Sequence, residues 1–537
     1  VEEILLQIIQ LKISLFTILI FLSQITNISA QSFFDNNFGN NGIQIPIITL
    51  INNGFWSASI QKDNKIVLTG WAYTDEETPS DISLVRLTEN GETDTSFNPS
   101  GLFGIGNGTW EDAYSSAIQK DGKILIAGRY FNGNSWDFII IRFNEDGSLD
   151  SSFNGKGYFI KDFFGKDDRC FSIDIQSDGK TVACGFAERF NWDFAVLRLN
   201  PDGTIDTTFG EKGIRVLNIG SYNDVAFSVK AQNDGKIIVC GWTYIFGSWD
   251  FALLRLNSDG SLDTTFNTNG IVTTDYHHLY NTAHSIAIQS DGKYIVAGYT
   301  NKPRSSDTDI MVVRYNQDGN IDKTFGNNGI VLIDNDAADD FAWVVNTDSF
   351  DKILVGGIAT INNNKNLSII RLNSNGFPDI SFGERGKFIY KIFGYDEEVR
   401  DLVIQPDGKI LLTGYFSDRK IKKGFAIRFN NPYNLINSNP DILINNFPNP
   451  FNTSTKITYI IRPDFASTNK IYLPVTIKVF DILGREIETL VDDFQEPGYY
   501  EVIFPSNKYS DKLSSGIYFY RIDINGFTKT NKMILVR

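Results

Sequence analysis

Three copies of one dipeptide combine residue types that could do chemistry: Trp136-Asp137, Trp192-Asp193 and Trp249-Asp250, spaced 56 and 57 residues apart. An indole face stacks on a sugar ring, and a carboxylate accepts hydrogen bonds from sugar hydroxyls. At loop tips on a rigid scaffold the pair would therefore suit a carbohydrate. The same residues also suit packing, with Trp filling space between structural units and Asp capping a strand. Both readings are open from sequence. Ser80 and Thr308 stand at the matching position in the copies on either side, so the feature is local to one part of the chain.

Metal chemistry has less support in the sequence. RFNEDGSLD, residues 142–150, has the outline of a calcium loop, with Asn144, Asp146, Asp150 and the Ser148 carbonyl as oxygen ligands. Its first ligand position, however, is Arg142, and the other copies carry Arg86, Arg198, Arg255, Arg314, Arg371 and Arg428 there. A guanidinium takes a cation's place against carboxylates, which predicts an Arg–Asp pair tying each strand to the turn after it. His277, His278 and His284 are the only histidines and lack ligand spacing. Cys170, Cys184 and Cys240 fall where other copies have Ala or Gly, so they read as small buried residues rather than a disulfide framework. No metal, cofactor or catalytic residue is read. There is no nucleophile elbow, phosphate loop or HExxH helix. Acids that recur in every copy are expected to be structural, because an active site occurs once.

The elements that position these residues repeat. QKDNK, QKDGK, QSDGK, QNDGK, QSDGK, DSFDK and QPDGK end at Lys65, Lys123, Lys180, Lys236, Lys293, Lys352 and Lys409. So regular a period marks a repeat architecture. In one copy, AHSIAIQ (283–289) alternates with period two, Ser290-Asp291-Gly292 makes a tight turn, YIVAGYT (294–300) returns, and DIMVVRYN (309–316) follows. With the short strand opening at Gly270-Ile271-Val272, each unit has four strands and no helix. YIVAG and MVV are apolar throughout, so these strands are covered on both faces. Seven such sheets, each between similar neighbours, predict a seven-bladed β-propeller; a β-solenoid, the other repeat option, has much shorter coils. DNNFGNNGI (35–43) matches the inter-repeat segment DTTFNTNGI (263–271) yet precedes the first copy, while the seventh copy ends at Phe429-Asn430 without it. The N-terminal piece is expected to complete the last blade and close the ring. Which strand lines the channel is not legible.

The combination DGSLDTTFG, AxSIAIQxDGKIxVAG and WDFALxRLN resembles the delta-60 repeat family of secreted bacterial proteins over residues 33–430. That resemblance implies no established reaction. Residues 431–446, NPYNLINSNPDILINN, read as a linker. Beyond it, alternating strand-like runs separated by Gly and Pro predict a small antiparallel, Ig-like β-sandwich. The segment resembles the type A sorting domain of the type IX secretion system, through Phe447-Pro448-Asn449-Pro450-Phe451-Asn452, Val479-Phe480-Asp481, Gly484, Gly498, Ser515-Gly516-Ile517-Tyr518 and Lys532-Met533. The resemblance implies that residues 447–537 engage the secretion machinery, with surface attachment or release.

ISLFTILIFL (13–22), followed by Ile28-Ser29-Ala30, reads as a secretory signal peptide over residues 1–30. The run is short for a membrane span, and no transmembrane segment is expected in the mature chain. The expected organisation is thus propeller 31–430, linker 431–446 and sorting domain 447–537. Forty-nine basic against 64 acidic residues, a net charge of −15, argue against a nucleic-acid partner. The function expected is a secreted or cell-surface, non-enzymatic binding protein whose ligand is a glycan or a surface protein. An exported polysaccharide-acting enzyme and a structural spacer are the alternatives.

Overall fold

The computed structural model describes residues 33–46, 52–73, 79–98, 101–105, 109–335, 338–417, 421–430, 444–447, 449–461, 472–495, 498–505, 513–525 and 527–536. The signal-peptide reading of residues 1–30 lies outside these. So does most of the linker reading, and a strand, Ile444–Phe447, already begins within the segment read as linker. No helix among the described residues is long and apolar enough to cross a membrane.

Residues 33–430 form seven four-stranded antiparallel sheets. Blade three is representative: Asp168–Ile175, Thr181–Glu188, Trp192–Leu199 and Ile214–Leu217 pair in that order. Blade seven takes its outer strand from the other end of the chain, where Ile43 pairs with Ile427 and Gln44 with Ala426. The ring is closed by the N-terminal segment, as the misplaced DNNFGNNGI copy predicts. The first strands of neighbouring blades touch one another all the way round, so they line the axis.

The core lies between blades rather than within one. Val182, Phe194 and Val196 of blade three pack with Phe209, Val239 and Leu254, and Cys184 sits among them. Burying such side chains is worth about 1.5–3 kcal/mol each, which is why the middle strands carry apolar residues on both faces. The three cysteines are free and buried, and burial pushes their thiols well above the usual range.

Each first strand carries an irregularity one residue wide, for example between Cys170 and Ser172. Opposite it stands the repeated glycine of the VAG motif. A Cβ on Gly241 would lie 1.8 Å from the Val225 carbonyl oxygen, so no larger residue fits beside the bulge.

The Arg–Asp pairing is present and reaches further than one blade. Nε of Arg86, Arg142, Arg198, Arg255, Arg314 and Arg428 lies 2.7–2.9 Å from the carboxylate of Asp94, Asp150, Asp206, Asp263, Asp322 and Asp35 respectively. The hairpin lysine of the same copy, such as Lys123 at 2.7 Å from Asp150, joins the same carboxylate. Each guanidinium also covers a Phe ring and donates to a carbonyl of the next blade, as Arg198 does over Phe209 and to Ser258 O at 2.5 Å. The DGK lysine, the strand arginine and the TFG phenylalanine are thus one strut, repeated around the ring. Burial alone would raise Asp94, but the Ser96 hydrogen bonds and Arg86 override it and hold the carboxyl at about 2.

The C-terminal unit is a sandwich of two sheets. One contains Ile444–Phe447, Thr455–Ile461 and Gly498–Phe504; the other contains Leu473–Phe480, Glu486–Gln495, Gly516–Ile524 and Phe527–Leu535. Ile457, Tyr459 and Phe504 of the first share a core with Val475, Ile477, Tyr520 and Ile522 of the second. Its two end motifs meet: Asn449 accepts from Ile534 N at 2.9 Å and donates to Lys532 O at 3.1 Å, and Phe451 pairs with the terminal strand. Asp481 accepts from Leu483 N and Arg485 N, and Gly484 takes a positive φ, which accounts for the FDxxG turn.

Candidate functional site

The two ends of the propeller are built differently. The end with the first hairpin of each blade carries the struts. The other end, where first and third strands begin, carries the variable aromatic residues.

At that end the bulged residue of every first strand turns to the axis. Trp56, Tyr114, Phe171, Phe227, His284, Trp343 and Arg400 form a closed ring of side chains. Successive ring centroids from Trp56 to Trp343 are 5.2, 5.3, 4.8, 4.5 and 4.6 Å apart. Arg400 closes the circle, lying 4.5 Å over Trp343 and 4.2 Å over Trp56. All seven are half-buried. Directly behind the bulge, Ser115, Ser172, Ser228 and Ser285 accept a backbone N–H from the next blade at 3.1–3.4 Å, and Asp401 accepts Ala58 N at 2.9 Å. The ring is therefore held on a rigid backing.

Four of its polar atoms are uncommitted. Trp56 Nε1, Trp343 Nε1, His284 Nε2 and Arg400 Nε are buried and have no hydrogen-bond partner among the described residues. Burial, with the Arg400 charge behind it, pushes His284 down to about 3, so the imidazole is neutral at any working pH. Glu398 balances the Arg400 charge, and Lys365 lies 2.7 Å from the same carboxylate.

A cavity of about 330 Å³ opens beside the ring where blades seven, one and two meet. Trp56, Trp71, Tyr73, Tyr114 and Tyr415 give it aromatic walls; Asn52, Asp112, Arg129 and Lys422 give it polar ones. Asp112 and Arg129 are paired at 2.7 Å through Nε. Arg129 also lies 3.9 Å over the ring of Trp136, which joins that residue to the cavity.

Trp136, Trp192 and Trp249 open the third strands of blades two and three and lie at the start of that of blade four, each half-buried. The first two are fixed from the next blade: Trp136 N donates to Asp167 and Trp192 N to Asn223, each at 3.1 Å. Trp192 stacks on Phe186 at 4.7 Å, and Trp249 lies 5.2 Å from Trp242 and 4.9 Å from Tyr280. The three do not converge on one cavity; they are spaced along an arc around the aromatic end. Consecutive strand residues point to opposite faces. Asp137, Asp193 and Asp250 are accordingly buried in the blade junctions, taking hydrogen bonds from Asn132, Asn218 and Ser248. Burial raises all three carboxyls, Asp250 to about 6 with Asp275 adding to the effect.

A second set of raised acids opens the first strands. Burial pushes Glu111, Asp168 and Glu397 up to about 7 and Asp340 to about 6. Each occupies the same repeat position. Asp168 accepts from Phe163 N and Glu188 N, Asp340 from Asn335 N, and Glu397 from Phe393 N. They hold the loops entering their own blades, at a position that is an acid in five copies and Asn53 or Asn281 in the other two.

Of the histidines, His277 and His278 lie in a loop at positive φ, while His284 is a member of the axial ring. The ring was not legible because its members, at position x of the AxSIAIQ frame, meet only when the blades close into a circle. A position that carries a ring side chain in six of the seven copies was the available signal.

Comparison with known proteins agrees with this architecture. A model described as "Domain of unknown function (DUF5122) beta-propeller" matches residues 61–97, 119–153, 176–209, 232–266, 289–325, 351–382 and 405–422. A model described as "Secretion system C-terminal sorting domain" matches residues 445–536. The chain is a seven-repeat β-propeller of the DUF5122 family joined to a secretion-system sorting domain. That domain marks it for export by the type IX system to the cell surface or beyond. No curated protein matches the chain. Solved structures with a similar fold include the polysaccharide lyase Uly1, 12% identical with a TM-score of 0.42, covering 71% of this chain and 90% of its own. They also include the propeller domain of the Trilobed protease from Pyrococcus furiosus, at 10% and 0.37, covering 70% and 93%. Penicillium chrysogenum α-L-arabinanase is 9% identical with a TM-score of 0.36, covering 58% and 92%.

Proposed function

We propose that this is an exported, non-enzymatic binding protein that takes a glycan at the aromatic end of its propeller. The observation that carries the reading is the closed axial ring opening into the aromatic cavity between blades seven, one and two. Flat rings offer stacking faces to sugar rings, and Arg129, Lys422, Asp112 and Asn52 offer donors and acceptors to hydroxyls. Trp136, Trp192 and Trp249 extend the stacking surface outward. Asp137, Asp193 and Asp250 act from behind by fixing the strands that carry them. The sorting domain delivers the propeller to where polysaccharides are met.

Binding is favoured over catalysis by the place of the titrating acids. Glu111, Asp168, Asp340 and Glu397 are engaged with their own loops rather than paired across the cavity. Affinity electrophoresis of the full chain through gels holding soluble polysaccharides tests the proposal. Retardation by one glycan, reduced about ten-fold in affinity by Trp136→Ala or Tyr73→Ala (~1.4 kcal/mol each), is the expected result. Unretarded migration in every gel, or retardation unchanged in both variants, would remove the glycan reading.

A further inference from the structure

At the aromatic end, each pair of neighbouring blades brings three positions together. They are a residue early in the third strand, the residue just past the fourth strand, and an acid or amide opening the next blade. Between blades three and four these are Asp193, Asn218 and Asp224, and the Asn218 amide donates to Asp193 at 2.8 Å. Between blades five and six they are Asp309, Asp334 and Asp340. There the Lys302 ammonium lies 3.2 Å from Asp309 and 3.1 Å from Asp334. Between blades six and seven, Lys391 itself stands at the middle position.

The junction between blades two and three differs. Asp137, Asp162 and Asp168 bring three carboxylates to within 4.8 Å of one another. Among the described residues none of the three forms an ion pair with a cationic side chain. Two separate observations point to a ligand. Asp137 is 3% exposed, and its Oδ1 is buried without a hydrogen-bond partner. The corresponding place between blades five and six is filled by the chain's own cation, Lys302.

We propose that Asp137, Asp162 and Asp168 bind a divalent cation, Ca²⁺. The donors are all carboxylate oxygens, the hard ligands this ion takes, and oxygens lying within 4.8 Å of one another can reach a single ion. Asp168 is pre-set by Phe163 N at 2.8 Å and Glu188 N at 3.1 Å, so one buried ligand is already oriented. Asp162 is exposed and leaves the remaining positions to water. The ion ties the end of blade two to the start of blade three. It also fixes the strand that begins at Trp136.

Tb³⁺ is the probe for the full chain, because Trp136 directly precedes Asp137 and can sensitise its luminescence. Excitation of tryptophan is expected to give saturable Tb³⁺ emission that Ca²⁺ displaces. Asp162→Asn, at an exposed position, should keep the wild-type circular dichroism and lose at least 30-fold in Ca²⁺ affinity by calorimetry. Trp136→Phe should dim the emission and leave Ca²⁺ calorimetry unchanged. Absence of Ca²⁺ binding to the wild type, or equal binding by a folded Asp162→Asn variant, would overturn the proposal.

Discussion

Replacing Asp35 by Ala removes the strut that holds the two ends of the ring together. Asp35 accepts from Arg428 through Nε and Nη2, both at 2.8 Å, and lies 3.3 Å from Lys409 Nζ. Both members of the pair are buried, Asp35 at 3% exposure and Arg428 at 2%. The substitution leaves a guanidinium enclosed between the Phe38 ring and the Glu89 carbonyl with no counter-charge. Breaking one partner of a buried pair costs about 3–5 kcal/mol. At ~2.1 cal/mol/K per residue, a propeller of roughly 400 residues unfolds with an entropy of about 0.8 kcal/mol/K, so its Tm should fall by about 4–6 °C. The loss should concentrate at the closure, with faster protease cleavage in the N-terminal segment than in blade four. Differential scanning calorimetry on Asp35→Ala gives the number. Lys166→Ala is the control, since its bridge to Glu188 at 3.5 Å is open to solvent and worth no more than about 1 kcal/mol. A shift in Asp35→Ala as small as in the control would refute the strut as a closing device.

Other outcomes follow from the same geometry. Arg255→Ala should destabilise by a similar 3–5 kcal/mol without exposing the N-terminal segment, because its strut lies inside the ring; urea melts with site-specific proteolysis separate the two. Gly241→Ala should cost several kcal/mol or prevent folding, since its Cβ would meet the Val225 carbonyl at 1.8 Å; yield and Tm report it. Stability should depend on pH in two opposed ways. The strut carboxyls Asp94 and Asp322, held at about 2, lend stability that is present above about 4 and lost as the pH falls toward 2. Glu111, Asp168 and Glu397, raised to about 7, lend stability that is present below about 4 and lost as the pH rises through 7. The Tm without added Ca²⁺ should therefore peak between about pH 4 and 5, and a Tm that climbs from pH 5 to 8 would contradict these assignments.

The parts of this fold that were legible from sequence are those the repeat writes many times. The four-strand unit follows from alternation around the DGK turn, and closure follows from one displaced inter-repeat segment. The Arg–Asp pairing follows from a guanidinium standing where a calcium loop needs an oxygen. What was not legible needs contacts between repeats. Trp56, Trp343 and Arg400 are far apart in sequence and become neighbours only because the ring closes. Asp137 was read together with Trp136, yet strand alternation sends it into the junction, toward Asp162 and Asp168. The lysine, arginine and phenylalanine of the strut are each visible as repeated letters. Their meeting on one aspartate and one carbonyl of the next blade is a matter of three dimensions.

The central claim is that the aromatic end binds a glycan, and titrating intrinsic tryptophan fluorescence of the full chain with a panel of soluble polysaccharides tests it most directly. The account predicts a saturable spectral shift with at least one glycan, weakened about ten-fold by Trp136→Ala while the circular dichroism stays that of the folded chain. A spectrum that no polysaccharide moves, or a shift that survives Trp136→Ala and Tyr73→Ala alike, would contradict it.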